Sequence, residues 1–189
     1  DSFLGFSHNL PASPAFVMKT NPTGTSSLWA SNHNAVDALG GAILYNNTEL
    51  VYTGMCAGTG SIFTWGTQSI PAPGANQGYD VLLARFNSTT GACLSLNKIT
   101  SNTPSTDFGA AIVKDASGDY VIGGGFGGTL YDVNNNTVVN EGGDSDFFIT
   151  KFSTQACLPL SSESFEKSKT NIYPNPVQNA FTVLVKEKT

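Results

Sequence analysis

Three eight-residue stretches of this chain fall into register without a gap, and that repetition limits what the chain can fold into more than any other feature. Pro14-Ala15-Phe16-Val17-Met18-Lys19-Thr20-Asn21 aligns with Asp80-Val81-Leu82-Leu83-Ala84-Arg85-Phe86-Asn87, 66 positions on (Lys19 to Arg85). It aligns again with Asp146-Phe147-Phe148-Ile149-Thr150-Lys151-Phe152-Ser153, another 66 on (Arg85 to Lys151). Each copy is an apolar run that ends in one cation and passes into an Asn, Ser or Thr turn. Short apolar runs bounded by turn formers read as strands. A unit that recurs at fixed spacing buries its apolar side against its neighbour rather than alone. The recurring cation is expected to be a solvated strand end.

A hairpin recurs as well. In Asp107–Gly125, Ala110–Val113 and Tyr120–Ile122 are apolar runs joined by Asp115-Ala116-Ser117-Gly118-Asp119. Val, Ile and Tyr suit a pleated, half-buried surface, while Asp, Ser and Gly supply the bend. Gly41–Tyr45, an Asn46–Glu49 turn and Leu50–Gly54 repeat the pattern 69 positions earlier (Gly54 to Gly123). Further strand candidates are Ser27–Ser31 and Leu94–Thr100, each after a Gly-containing turn. Each unit therefore offers four short strands, the number in one blade of a β-propeller. The period exceeds the roughly 40–50 residues of common blade repeats. The excess sits at Met55–Tyr79 and Gly124–Ser145, and insertions confined to one position map to one face of a repeat array.

Phe108-Gly109-Ala110-Ala111-Ile112-Val113, Asp115 to Gly123, and Gly143-Asp144-Ser145-Asp146-Phe147-Phe148-Ile149-Thr150-Lys151-Phe152 together resemble the bacterial SBBP type of β-propeller repeat. That family alternates a G-x-A-I-x-x-D-x-x-G-N-x-Y-V-x-G hairpin with a D-A-F-V-x-K strand. Asp119 stands here where the family has Asn, and the hairpin around Tyr45 lacks the Asp and Gly of the turn. The resemblance covers roughly Pro14 to Leu158 and implies a fold without catalytic residues. Two and a half units do not close a ring of four or more blades. Further blades before Asp1, or an open array, are expected.

Pro159–Thr170 drops the β pattern for Ser, Glu and Lys and reads as a flexible linker. After it, Tyr173-Pro174-Asn175-Pro176 precedes the strand candidate Phe181–Val185. The prolines fix φ and donate nothing to a ladder, which suits an extended lead-in. A Tyr-Pro-Asn-Pro stretch in this setting resembles the start of the type IX secretion system C-terminal sorting domain, a small β-sandwich on secreted proteins of Bacteroidota. The resemblance implies the type IX machinery as a partner, and an extracellular or outer-membrane-surface location. The expected organisation is therefore all-β: blades over 1–158, linker over 159–170, and the truncated opening of a sorting domain over 171–189.

Composition agrees with that setting. Charged residues are 12% and Gly, Asn, Ser and Thr abound, which points to a β-rich, turn-rich protein. A net charge of −5 without a Lys/Arg patch disfavours nucleic acid and anionic membrane surfaces. No apolar run reaches the 18 or so residues of a membrane span.

Sites for chemistry are scarce. Cys56, Cys93 and Cys157 read first as small buried hydrophobes, with a disulfide or a reactive thiol as alternatives. His8 and His33 stand in polar contexts without metal-ligand spacing and are expected at the surface. Asp132-Val133-Asn134-Asn135-Asn136 opens like a calcium loop, but Thr137 and Gly143 occupy the positions needing Gly and Glu, so an Asn-rich turn is preferred. Gly123–Gly128 precedes no helix and reads as a flexible strand exit rather than a phosphate loop. No catalytic set, cofactor or metal is expected. Phe63, Trp65 and Tyr79 in one insertion, and Phe126 and Tyr131 in the next, are the ligand-binding candidates, since aromatic faces beside amides suit glycan or peptide. The alternative is that they pin the insertions onto the blades. The expected function is a non-enzymatic binding or adhesion scaffold. Competing readings are the accessory region of a secreted hydrolase, or a structural matrix component.

Overall fold

The computed structural model describes residues 2–7, 15–34, 38–57, 62–73, 78–101, 104–132, 135–153, 171–173 and 182–184. Among these the chain is all-β, with no helix. It divides into two units, Asp1–Thr154 and Gln155–Thr189.

The first unit opens with a short hairpin of β1 (Ser2–Phe3) and β2 (Phe6–Ser7). β3 (Phe16–Thr20) and β4 (Ser27–Asn32) pair as sheet I. β5 (Ala38–Asn46) and β6 (Glu49–Ala57) form a hairpin. A second hairpin follows, β7 (Ile62–Trp65) with β8 (Gln68–Pro71). Next come β9 (Gly78–Asn87) and β10 (Cys93–Ser101), so that β5, β6, β9 and β10 make the antiparallel meander of sheet II. β11 (Ser105–Thr106) runs parallel to the start of β9. β12 (Phe108–Lys114), β13 (Tyr120–Phe126) and, after the small hairpin β14 (Thr129–Tyr131) and β15 (Thr137–Val139), β16 (Asp146–Phe152) complete the unit. β12, β13 and β16 form sheet III. In the second unit, β17 (Asn171–Tyr173) pairs antiparallel with β18 (Thr182–Leu184). Asn171–Tyr173 forms a strand that the sequence reading did not single out. Residues 159–170, Pro174, Asn175, Pro176, Cys157 and His8 lie outside the described residues.

The repeat extends to individual strand pairs. Met18 lies opposite Ala30 and Ala84 opposite Leu96; both shifts are 66, and each ladder carries an irregularity where Leu28 or Leu94 is passed over. Gly40 lies opposite Gly54 and Gly109 opposite Gly124, each followed by a bulge, at Gly41 and Ala110. Gly54 therefore corresponds to Gly124, one residue beyond the Gly123 expected from sequence. The cause is the turn: Asn46 and Glu49 flank two residues, whereas their counterparts Asp115 and Asp119 flank three. The grouping of strands also differs from expectation. Each hairpin joins the strand that follows it, so the chain crosses from sheet II to sheet III between Ser101 and Phe108.

The three sheets stack, and burial follows the stacking. Val17 of sheet I meets Tyr52, Cys56, Leu82, Ala84 and Phe86 of sheet II in one core. Val51, Val81 and Leu83, from the opposite face of sheet II, meet Ile112, Ile122, Phe126 and Phe148 of sheet III in a second. β6 and β9 are covered on both faces, which is why Val51–Gly54 and Asp80–Ala84 are buried without a break. β13 alternates strictly between buried and half-buried residues, as a strand with one covered face must. The stack is closest where β5 meets β12. A Cβ on Gly41 would collide with the Gly109 carbonyl, and one on Gly109 with Thr53 Oγ1. Gly123–Gly125 lie inside β13, not at a flexible exit, and a Cβ on Gly124 would strike the Phe108 carbonyl oxygen.

Candidate functional site

The insertions expected to carry a ligand site are hairpins that reach back to the preceding sheet. β7 continues the edge of β4 through a bridge between Trp65 and His33. β14 pairs with the end of β10, Tyr131 opposite Thr100 and Leu130 opposite Ser101. Asn34 reinforces the first contact: its N–H donates to the Thr64 carbonyl at 3.0 Å, and its Oδ1 accepts the Thr64 N–H at 2.8 Å.

This geometry decides where the five aromatics lie. Phe63 and Trp65 are fully buried, and Phe126 nearly so. Trp65 sits edge-on to Phe86 (4.8 Å between centroids), Tyr52 and His33, while its indole N–H donates to Ser31 Oγ at 2.9 Å. Phe126 packs edge-on to Phe148. These three build the cores and offer no face to a ligand. Tyr79, opposite Ala57 and Thr106, and Tyr131 are half-buried and lie on different elements. The five do not converge.

His33 is buried, not at the surface as its polar context predicts. Its ring stacks on Phe63 at 5.1 Å, and Nε2 accepts the Ala15 N–H at 2.9 Å. Cys56 and Cys93 are buried, unpaired thiols. Burial, followed by the charge of Asp80 and against that of Lys98, pushes the Cys56 thiol up to about 12. Burial pushes Cys93 up to about 11. Neither is a poised nucleophile.

Lys19 and Lys151 are exposed, as expected of strand-end cations, and Arg85 is partly buried; all three have a partner. Arg85 makes a two-armed contact with Glu49, at 2.9 Å and 2.5 Å, and the Tyr120 hydroxyl from sheet III donates to the same carboxylate at 3.3 Å. Hydrogen bonding to Glu49 holds the guanidinium above its ordinary range. Lys151 bridges Asp115 and Asp119 at 2.7 and 2.8 Å, which lowers both carboxyls and raises the amine. Lys19 donates to the Ser88 carbonyl at 3.1 Å. At the crossover, Asp107 is buried: its N–H donates to the Tyr79 carbonyl, and its Oδ1 accepts from Ser105 Oγ and the Gly127 N–H. Asp80 binds Lys98 at 2.6 Å and accepts the Ser101 N–H. The ion pairs each lie within one sheet, while the Tyr120 hydroxyl, Lys19 and Asp107 reach between sheets. Asp132, at the head of the calcium-like stretch, spends Oδ1 and Oδ2 on the Asn136 N–H and Nδ2.

What the structure does expose is apolar. Sheet III leaves a groove of about 550 Å3 on its outer face, lined by Phe108, Val113, Val121, Phe147 and Ile149 among others. A groove of about 520 Å3 at the opposite end is lined by Phe3, Phe16, Met18, Ile43 and Tyr52. Sequence reasoning missed both, although the signal was there: Phe147 and Ile149 repeat the positions of Val81 and Leu83. Among the described residues no group of three His, Cys, Asp or Glu is placed to hold a metal ion, and no helix is long and apolar enough to cross a membrane. No family model matches this chain, and no curated protein matches it.

Proposed function

We propose that this chain works as a secreted or surface-attached binding scaffold made of propeller-type blades, without an enzymatic role of its own. The observation that carries this reading is the recurrence of strand pairing, bulges included, across successive sheets. The four-stranded antiparallel meander of β5, β6, β9 and β10 supports a blade reading, and its two-stranded and three-stranded neighbours repeat parts of its pairing. Cores on both sides of sheet II and the hairpins that reach the preceding sheet make a platform, which suits display of a binding surface rather than chemistry. Half-buried Tyr79 and Tyr131 are the aromatics left to a glycan or protein ligand. Export by the type IX machinery is supported by the resemblance of Tyr173-Pro174-Asn175-Pro176 to its sorting domain.

The binding reading is tested by glycan and peptide arrays probed with the folded chain. A ligand whose capture falls on replacing Tyr79 or Tyr131 supports it, and silence across both arrays overturns it. Export is tested separately by fractionating a type IX-competent bacterium with and without the machinery. Unchanged surface exposure in the deficient strain overturns that part.

A further inference from the structure

The junction between sheets II and III shows what the front of sheet II is shaped to carry. At that junction β5 and β6 lie over β12. A Cβ on Gly109 would strike Thr53 Oγ1, and Ile112 and Ile122 are buried in the shared core. By their strand pairing, Gly40, Ile43 and Tyr52 hold the places on sheet II that Gly109, Ile112 and Ile122 hold on sheet III. They line the groove of about 520 Å3 at the front of the stack. Ile43 is 55% exposed against 8% for Ile112, and the nearest atoms to a Cβ on Gly40 all belong to Tyr52 of its own sheet. The reason lies in sheet I. Its strands β3 and β4 repeat β9 and β10, and among the described residues nothing in it repeats β5 and β6.

The other wall of the groove is the edge of β3, from which Phe16, Met18 and Thr20 line it. β9 and β16, the repeats of β3, each carry an antiparallel strand on the corresponding edge, β6 and β13. The N–H and C=O groups along such an edge are a template for strand addition. Shape decides against a helix. Paired strands lie about 4.8 Å apart, whereas a helix with its side chains needs about 10 Å and leaves the edge groups unmet. No charged side chain lines the groove, so the face it covers is apolar. Each described strand of this chain lies in a ladder of its own, so the added strand belongs to a partner.

We propose that the front groove binds an extended apolar segment of a partner protein, which adds to the edge of β3 as an antiparallel strand. The pairing of β6 with β9 gives the register. Leu50 opposite Phe86 and Gly54 opposite Leu82, carried back 66 positions, set the corresponding partner residues opposite Thr20 and Phe16. The partner residue opposite Val17 then lies over Gly40, as Thr53 lies over Gly109. None of Phe63, Trp65, Tyr79, Phe126 and Tyr131 lines this groove, so the site fails or stands apart from the ligand reading that rests on Tyr79 and Tyr131.

The probe is a fluorescein-labelled peptide with the sequence of residues 48–57 and Cys56→Ser, because β9 holds that stretch on the equivalent edge. Fluorescence anisotropy against the full chain is expected to show saturable binding. Ile43→Glu, at an exposed position and with its fold checked by circular dichroism, weakens binding at least tenfold. A Thr53→Pro peptide, which cannot complete the ladder, also binds at least tenfold more weakly and needs no protein variant. In hydrogen exchange the peptide slows amides of β3 at least tenfold and leaves β12, the edge of sheet III, unchanged. No saturable binding, binding indifferent to Ile43→Glu or to the proline, or unchanged β3 amides overturns the proposal. Self-association above 19.8 kDa that Ile43→Glu abolishes also overturns it, since a second copy then fills the groove. Uniform protection along β3 in the free chain does the same, since the chain then covers its own edge.

Discussion

Replacing Trp65 with Ala separates a structural strap from a ligand site. Trp65 is fully buried and touches His33, Tyr52, Phe63 and Phe86, with its indole N–H on Ser31 Oγ. A tryptophan buries about 200 Å2, and at about 25 cal/mol per Å2 its transfer term is about 5 kcal/mol. Measured truncations of buried Phe or Trp to Ala cost about 3–5 kcal/mol. Loss of the Ser31 hydrogen bond acts in the same direction, so about 4 kcal/mol is the expected cost. For a chain of this size that corresponds to about 8–16 °C in Tm. It is also a large part of the roughly 5–15 kcal/mol that holds such a domain folded. Thermal and urea denaturation followed by far-UV circular dichroism measure it. Tyr131→Ala, in the corresponding hairpin but half-buried, serves as the comparison at about 1 kcal/mol. A Trp65→Ala protein that melts within about 2 °C of the native chain would refute the reasoning, above all if it had lost a ligand.

Other perturbations probe different joints. Gly41→Ala drives a methyl into the Gly109 carbonyl where β5 meets β12 and should cost about 1–3 kcal/mol in urea titration; a neutral result would mean that the sheets are further apart. The Asp115–Asp119–Lys151 cluster sets a pH window with a definite sign. Both carboxyls are depressed, so their contribution is present above the unfolded carboxylate range near ~3.9 and is lost as pH falls through the lower folded values. Lys151 is raised, so its contribution is complete below its unfolded value near ~10.4 and is lost only at higher pH. The stability gap between the native chain and Asp119→Asn should therefore hold at neutral pH and close in acid; a gap unchanged at pH ~2 would contradict the pairing. Cys56 and Cys93 should resist a thiol reagent at pH 8 until the chain unfolds, and labelling of a native Cys157→Ser variant faster than unfolding would show that they are not enclosed.

Much of the architecture could be read from residue order because the strand signal is local. Apolar runs between Asn/Gly turns, repeated at Lys19, Arg85 and Lys151, locate β3, β9 and β16, and the Asp115–Asp119 bend locates the hairpin. Sheet membership is not local. A period marks recurrence but no starting point, so nothing in the repeat says whether a hairpin joins the strand before it or after it. Burial of Trp65 and His33 is hidden for the same reason. His33 stands among Ser and Asn and Trp65 before a Gly turn, and the bridge that joins them spans thirty-two positions (33 to 65). Of the recurring cations only Arg85 departs from the solvated strand end expected, because Glu49 on the neighbouring strand draws it into a partly buried pair. Phe147 and Ile149 look like core residues in sequence, yet among the described residues no sheet covers them and they are exposed.

The repeating register is measured most directly by cross-strand nuclear Overhauser contacts in solution. The account predicts Met18 opposite Ala30 and Ala84 opposite Leu96, with Tyr52 opposite Ala84 and Ile122 opposite Thr150. A slip of one residue in any of these ladders would turn its apolar set to the other face, and the proposed equivalence of the sheets would be wrong.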